Sequence, residues 1–224
     1  MAFKGFGKGL SKGTGRGLDR PFFFARVRLK PFGGRLTQRQ VDGLGAIVDG
    51  WRLRTGDDTD GAGRCELAYV LATAFHETAA TMRPVRETLA GTDGEAIRRL
   101  ETAFAAGRMK HVRTPYWRRD GEGRTWLGRG LVQLTHRRNY EAMSEVTGID
   151  LVADPARAME MDVSVAILIE GMRRGSFTGH RLDDYFAPGR QDWVGARRIV
   201  NGTDRAELVA EYGRAFARAL GADY

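Results

Sequence analysis

The stretch Ala68 to Thr78 reads A-Y-V-L-A-T-A-F-H-E-T. Around it Leu67, Val70, Leu71, Ala74 and Phe75 recur at intervals of three and four, which predicts a helix with a wide buried stripe. At about 100° per residue Glu77 falls almost in line with Val70, on the border of that stripe rather than opposite it. Acidic side chains are rarely buried without a partner, and an apolar surround disfavours the charged form of a carboxyl, which suits a general acid. Two readings stay open from this stretch alone. Glu77 is either a proton donor held at the edge of a core helix, or a carboxylate at a fraying helix end that pairs with a nearby arginine.

A chain of 224 residues supports one sizeable core in one folded unit. The formal net charge of +8 and a pI near 10 favour anionic partners: nucleic acid, acidic membranes or acidic wall polymers. The only cysteine, Cys65, excludes an intramolecular disulfide framework and falls on the predicted inner helix, where a buried inert thiol is expected. No apolar run reaches transmembrane length, and the first residues lack the apolar stretch of a secretory signal, so no standard export signal is expected.

Residues 1 to 20 place Lys4, Lys8, Lys12, Arg16 and Arg20 at every fourth position among many glycines. Each glycine costs roughly 1 kcal/mol relative to alanine in a helix, so a flexible basic arm is expected, tethering the protein to an anionic envelope or to a virion component. Residues 21 to 224 read as a single domain. Phe22 to Phe32, bracketed by Pro21 and Pro31, reads as an extended aromatic lead-in. Thr37 suits the N-cap of a helix to about Leu53, with Val41, Leu44, Ile47, Val48 and Trp51 on one face. A polar loop, Asp57 to Gly63, then delivers the chain to the Glu77 helix.

Thr92 and Glu95 form a capping-box signature for a helix with Ile97, Leu100 and Phe104 inward, which leaves Glu101 facing solvent. Tyr116 to Leu127 carries two Trp-bearing arms around Asp120-Gly121-Glu122-Gly123 and predicts a β-hairpin. In G-R-G-L-V-Q-L-T, Gly128 to Thr135, the glycines allow a tight turn. The alternation that follows predicts a short strand with Val132 and Leu134 on one side and Gln133 and Thr135 projecting from the other. The remainder reads as helices over about Arg138 to Thr147, Pro155 to Glu160, Val163 to Arg174 and Trp193 to Val200, with Asp204 capping a last one. The expected fold class is mainly α.

Two carboxylates, a polar strand, several aromatics and a basic surface together suggest hydrolysis of a glycan. There, one carboxylic acid protonates the leaving oxygen and a second carboxylate activates water or attacks. Glu77 suits the first role; Glu87, in a loop beyond the helix, suits the second. His76 reads as a structural histidine that the helix turns away from Glu77. H-E-x-x-H would need a histidine at Ala80, so no zinc motif is present, and no metal or cofactor is expected. Arg129, between two glycines, either binds substrate or pairs with a buried acid. Trp117 and Trp126 either stack on sugar faces or pack within the hairpin. Asn201 before Gly202 is also a natural helix terminator. No recognised nucleic-acid motif accompanies the basic charge.

H-E-T at His76 to Thr78, R-P-V-R-E at Arg83 to Glu87, G-R-G-L-V-Q-L-T-H-R-R-N-Y at Gly128 to Tyr140 and I-V-N-G at Ile199 to Gly202 together resemble glycoside hydrolase family 19. Within it, the chain resembles the phage and prophage endolysin branch more than the plant chitinases, from about Gly33 to Leu220. The resemblance implies a lysozyme-like, two-lobed, mainly helical fold with a small β-hairpin, a central cleft and an inverting mechanism without metal. It implies Glu77 as general acid, Glu87 as general base, a cleft lined by Gln133, Thr135 and Asn139, and Asn201 as a sugar-binding residue. Thr135 matches a Ser or Thr that holds the attacking water or an acetamido group. Arg138 stands where the chitinases carry a tyrosine, a departure from their sugar contacts. The implied substrate is the peptidoglycan glycan strand, with chitin as the alternative. The implied setting is the periplasm or cell wall, reached after holin release or as part of a phage particle. A non-catalytic wall- or nucleic-acid-binding module is the reading from another class, and it would require neither acid.

Overall fold

At the centre of the fold is α3, Gly61–Glu77, in which every residue from Leu67 to Phe75 is buried. The computed structural model describes residues 18–56, 61–110 and 112–222. The buried stripe expected for α3 is a whole surface, because other elements enclose the helix on every side. Against it lies α7, Ala206–Ala219, with the Phe75 ring 4.7 Å from that of Tyr212 and 6.1 Å from that of Phe216, both edge-on. α2 (Gln38–Thr55) and α6 (Met161–Arg174) pack against α3 and against each other. Thr37 caps α2 as expected, within a capping box completed by Gln40.

Several elements depart from the sequence expectation. Phe22 to Phe32 is largely helical: α1 spans Arg20–Leu29. The Asp19 carboxylate caps it by accepting from the Phe22 N–H, and Pro21 sits in the first turn, where its missing N–H costs nothing. Phe23 and Val27, one turn apart, are buried, and α1 packs on α7. Of the basic arm, residues 1–17 lie outside the described residues. So do residues 57–60 of the expected loop, while Gly61 to Gly63 already belong to α3.

The Tyr116 to Leu127 segment reverses direction at the expected turn but forms no strand pair. The Asp120 carboxylate accepts from the N–H groups of Glu122 and Arg124, and the arms are tied by Trp126 N–H to Tyr116 C=O and by the Thr125 hydroxyl to Trp117 C=O. The strands among the described residues are β1 (Val85–Arg86) with β2 (Arg129–Gly130), and β3 (Phe186–Ala187) with β4 (Arg190–Gln191), both antiparallel. The strand expected at Leu131 to Thr135 is a tight loop instead. Arg129 and Leu134 exchange backbone hydrogen bonds of 2.9 and 3.2 Å, and the chain turns through Gly130 at φ +89° and Gln133 at φ +54°. Gly130 is needed there, since a Cβ would lie 2.7 Å from Ser164 Oγ, which accepts from the Leu131 N–H. The division of side chains survives: Val132 and Leu134 are buried, Gln133 and Thr135 half-buried.

α5 spans Arg137–Thr147, while Pro155–Met159 and Gly195–Ile199 are short 3-10 turns. α7 starts after Arg205 in the left-handed region with no side-chain cap. Asp204 offers its carbonyl to Arg197 Nε at 2.9 Å rather than capping α7.

The apolar core is divided. The main cluster surrounds α3, and a smaller one, Ala90, Ala96, Leu100, Trp117 and Leu127, is built around α4, Asp93–Ala105. Trp117 belongs wholly to this second lobe, which corrects the reading of it as a substrate-binding residue that stacks on sugar and leaves packing as its role. It is 0% exposed, its ring meets Phe104 edge-on at 5.6 Å, and its Nε1 donates to Glu101 at 2.7 Å. Glu101, expected to face solvent, is thereby drawn onto the lobe, where it also receives Arg118.

Candidate active site

Between the two lobes lies a cleft of about 580 Å³ whose walls include Glu77, Gln133, Thr135, Asn139 and Asn201. Glu77 is the last residue of α3, at the point where the helix leaves the core. The Thr78 hydroxyl bonds back to Ala74 C=O, and Ala79 and Ala80, both at positive φ, turn the chain away, leaving the carboxylate at the helix end. Its Oε1 accepts from Arg197 Nη1 at 2.8 Å; the Arg197 side chain is 2% exposed and that of Glu77 16%. The setting of Glu77 is therefore an ion pair and not the apolar surround expected. Both sequence readings meet here, since the carboxylate at the border of the core is also the one with an arginine partner. His76 is half-buried, and burial together with Arg197 and Arg205 holds its imidazole below the ordinary range against the pull of Glu77.

Arg197 and Asn201 share one short segment. The 3-10 turn Gly195–Ile199 sends Arg197 inward to Glu77, and Arg197 C=O accepts the N–H of Asn201, which is exposed on the cleft. On the opposite wall the Gln133 amide donates to Val85 C=O of β1 at 2.9 Å, and Asn139, in the first turn of α5, donates to Thr135 C=O at 2.8 Å.

Glu87 starts a single 3-10 turn, Glu87–Leu89, in which Thr88 and Leu89 adopt positive φ. Its N–H bonds Gly128 C=O at 2.7 Å. Of its carboxylate oxygens, Oε1 accepts from the Tyr116 hydroxyl at 2.6 Å and Oε2 from the Gly128 N–H at 2.8 Å. Gly128 leaves no room for a side chain, as a Cβ would lie 2.8 Å from Gln133 Oε1 and 3.3 Å from Glu87. Tyr116 is itself part of the cleft wall, so Glu87 stands one contact behind that surface. Burial, then the Glu87 charge and the hydrogen bond to it, push the Tyr116 phenol far above its ordinary range, so it stays a donor. His136, 4.4 Å from the Tyr116 ring, is lowered by burial and by Arg138 against the effect of Glu87.

Arg129 is not a substrate-binding residue. It is 1% exposed and reaches Asp93 at 2.6 Å, Thr125 C=O at 3.0 Å and the Tyr140 hydroxyl at 2.9 Å, so the buried-acid alternative holds. Asp93 also receives Arg86 at 2.7 Å, and the cluster ties α4 to the β1–β2 ladder beside Glu87. Burial pushes the Asp93 carboxyl up, but the hydrogen bonds and charges of Arg129 and Arg86 outweigh it and hold it below the ordinary range. A depressed folded-state value adds stability that is fully present above the unfolded value, about 3.9, and is lost as pH falls through the folded value. Urea unfolding of wild type and Asp93→Asn should therefore differ most near neutrality and converge below about pH 4. A gap that stays constant into that acid range would contradict this account of the cluster.

The residues missed in the sequence are Arg197 and Tyr116, which hold the two acids. Arg197 lies four positions before Asn201 in the quoted I-V-N-G neighbourhood, so proximity to that motif was the available signal.

Solved structures share this fold. The chain aligns with a mutant of chitinase C at 18% identity and a TM-score of 0.50, covering 96% of this chain and 97% of that one. It aligns with chitinase C from Streptomyces griseus at 19% identity and a TM-score of 0.52, covering 96% of this chain and 79% of that one. At such identities the likeness concerns the fold, which is mainly helical as expected. No family model and no curated protein sequence matches the chain.

Proposed function

We propose that the chain is a glycoside hydrolase that cuts the glycan strand of peptidoglycan by inversion, with Glu77 as general acid and Glu87 as general base. The observation that carries this reading is the single cleft that gathers Glu77, Gln133, Thr135, Asn139 and Asn201 from distant parts of the chain. Arg197 orients the acid through Oε1, and the proton is carried on the other oxygen toward the glycosidic bond. Glu87 stands one contact behind the cleft with its oxygens accepting from Tyr116 and Gly128, and in this reading it takes the proton of a water that enters beside Tyr116. An inverting pair leaves room for that water, with carboxyls roughly 6.5 to 9.5 Å apart, and Thr135 on the cleft wall helps to hold it. The formal net charge of +8 suits an acidic envelope. The proposed setting is envelope lysis, in the periplasm or wall, by a protein released through a holin or carried on a phage particle.

Mass spectrometry of fragments released from purified sacculi tests this reading, because the new reducing end identifies the bond cut. Cleavage of N-acetylglucosamine oligomers alone would transfer the assignment to a chitinase, the activity named for the fold's solved relatives. Salt-dependent DNA binding without hydrolysis would support a binding module instead. Removing the Tyr116 hydroxyl (Tyr116→Phe) frees one Glu87 oxygen, and kcat should fall by about tenfold with KM little changed, as for loss of a charge-assisted hydrogen bond. An unchanged kcat would separate Tyr116 from the base.

A further inference from the structure

The cleft wall also contains Arg113 and Thr114, in the segment that leads from α4 to Trp117. Two anchors hold this segment. On one side the Val112 N–H bonds Met109 C=O at 3.0 Å, and both residues pack on the smaller core cluster. On the other, Tyr116 packs on the same cluster and bonds Glu87. Arg113 is thus carried on the cleft wall between residues packed on the smaller lobe. It is exposed, and among the described residues it has no hydrogen-bond or ion-pair partner.

The charge balance of the cleft makes this arginine informative. The negative charge on the cleft wall, Glu77, is matched by Arg197, and Glu87 is turned into its own two donors. Arg113 is left as positive charge on the wall of the cleft. A guanidinium presents a planar fork of donors that fits a carboxylate with two parallel hydrogen bonds. A neutral polymer of N-acetylated sugars offers it no such partner. A peptidoglycan strand does, either on the lactyl arm of a bare strand or on the stem peptide that the arm carries.

Resting on the glycosidase reading above, we propose that Arg113 forms a subsite for a carboxylate attached to the glycan, and that this contact makes the cleft prefer an acidic strand over a neutral one. The readout is the binding of soluble glycan strands to full-length Glu77→Gln protein, with and without Arg113→Gln, so that no hydrolysis is required. Strands with free carboxyl groups are compared with the same strands after their carboxyls are converted to methylamides. The Glu77→Gln protein should prefer the free-carboxyl strands by about tenfold, the size of one charge-assisted hydrogen bond, and Arg113→Gln should bring that ratio close to one. Strands stripped of stem peptides by an amidase separate the two sources: a preference kept there assigns the lactyl carboxylate, and one found only on peptide-bearing strands assigns the peptide. Equal binding of free and blocked strands by the Arg113-containing protein overturns the proposal, and needs no second variant. So does an undiminished ratio in Arg113→Gln. Failure of the wild-type enzyme to release fragments from sacculi would instead overturn the glycosidase reading, and the binding ratio would still report on Arg113.

Discussion

Glu77→Gln is expected to lower hydrolysis of sacculi by roughly 10²- to 10⁴-fold, the range lost with a general acid, while the protein remains folded. The amide cannot deliver a proton to the leaving oxygen, yet it keeps a carbonyl where Oε1 accepts from Arg197. The fold should tolerate the change with some loss, because Arg197 is 2% exposed and loses its counter-charge. Breaking a fully buried pair costs roughly 3 to 5 kcal/mol; here the partial exposure of Glu77 and the retained acceptor reduce that cost. Circular dichroism and a melting curve recorded beside the activity assay separate the two effects. Hydrolysis within tenfold of wild type would remove Glu77 from the mechanism, whatever the stability.

The largest stability effect is expected at Arg129. Arg129→Met leaves Asp93 with one cation in place of two and strips the Tyr140 hydroxyl and the Thr125 carbonyl of a donor. Breaking a fully buried pair costs roughly 3 to 5 kcal/mol. The exposure of Asp93 and its remaining bond to Arg86 lower this, while the unsatisfied Tyr140 and Thr125 groups add to it, so a drop of several degrees in melting temperature is expected. Asp93→Asn should cost a comparable amount, because Arg129, 1% exposed, then lacks its counter-charge although an acceptor is kept, and the double variant should cost less than the sum of the two. A residue that bound sugar would behave in the opposite way, raising KM and leaving the melting temperature unchanged. Such a result would return Arg129 to the substrate.

The chain shows where local reading succeeds and where it stops. The α3 helix, the caps at Thr37 and Thr92 and the glycine that ends α6 all follow from spacing and side-chain chemistry within a few residues. α1 had a local signal too, the Asp19 cap and Pro21, but the aromatic run Phe22 to Phe24 favoured an extended reading. The turn at Asp120 was legible. The absence of a ladder beside it was not, since the Trp117 and Thr125 side chains and the packing of the smaller lobe decide it.

By itself the sequence determined the order of the long helices from α2 onward, the place where α3 ends and the presence of a carboxylate at that end, because each depends on neighbours along the chain. It also placed Gln133 and Thr135 on one side of their segment, although a turn rather than a strand does so. The tertiary structure decided the partners. Arg197 reaches Glu77 across 120 positions of sequence, and Tyr116 reaches Glu87 across 29. It also sent Trp117 and Arg129 into the interior and left Arg113 on the cleft. Neutralising a charge or burying a ring requires atoms that meet only when the two lobes are assembled, and no local periodicity encodes that meeting.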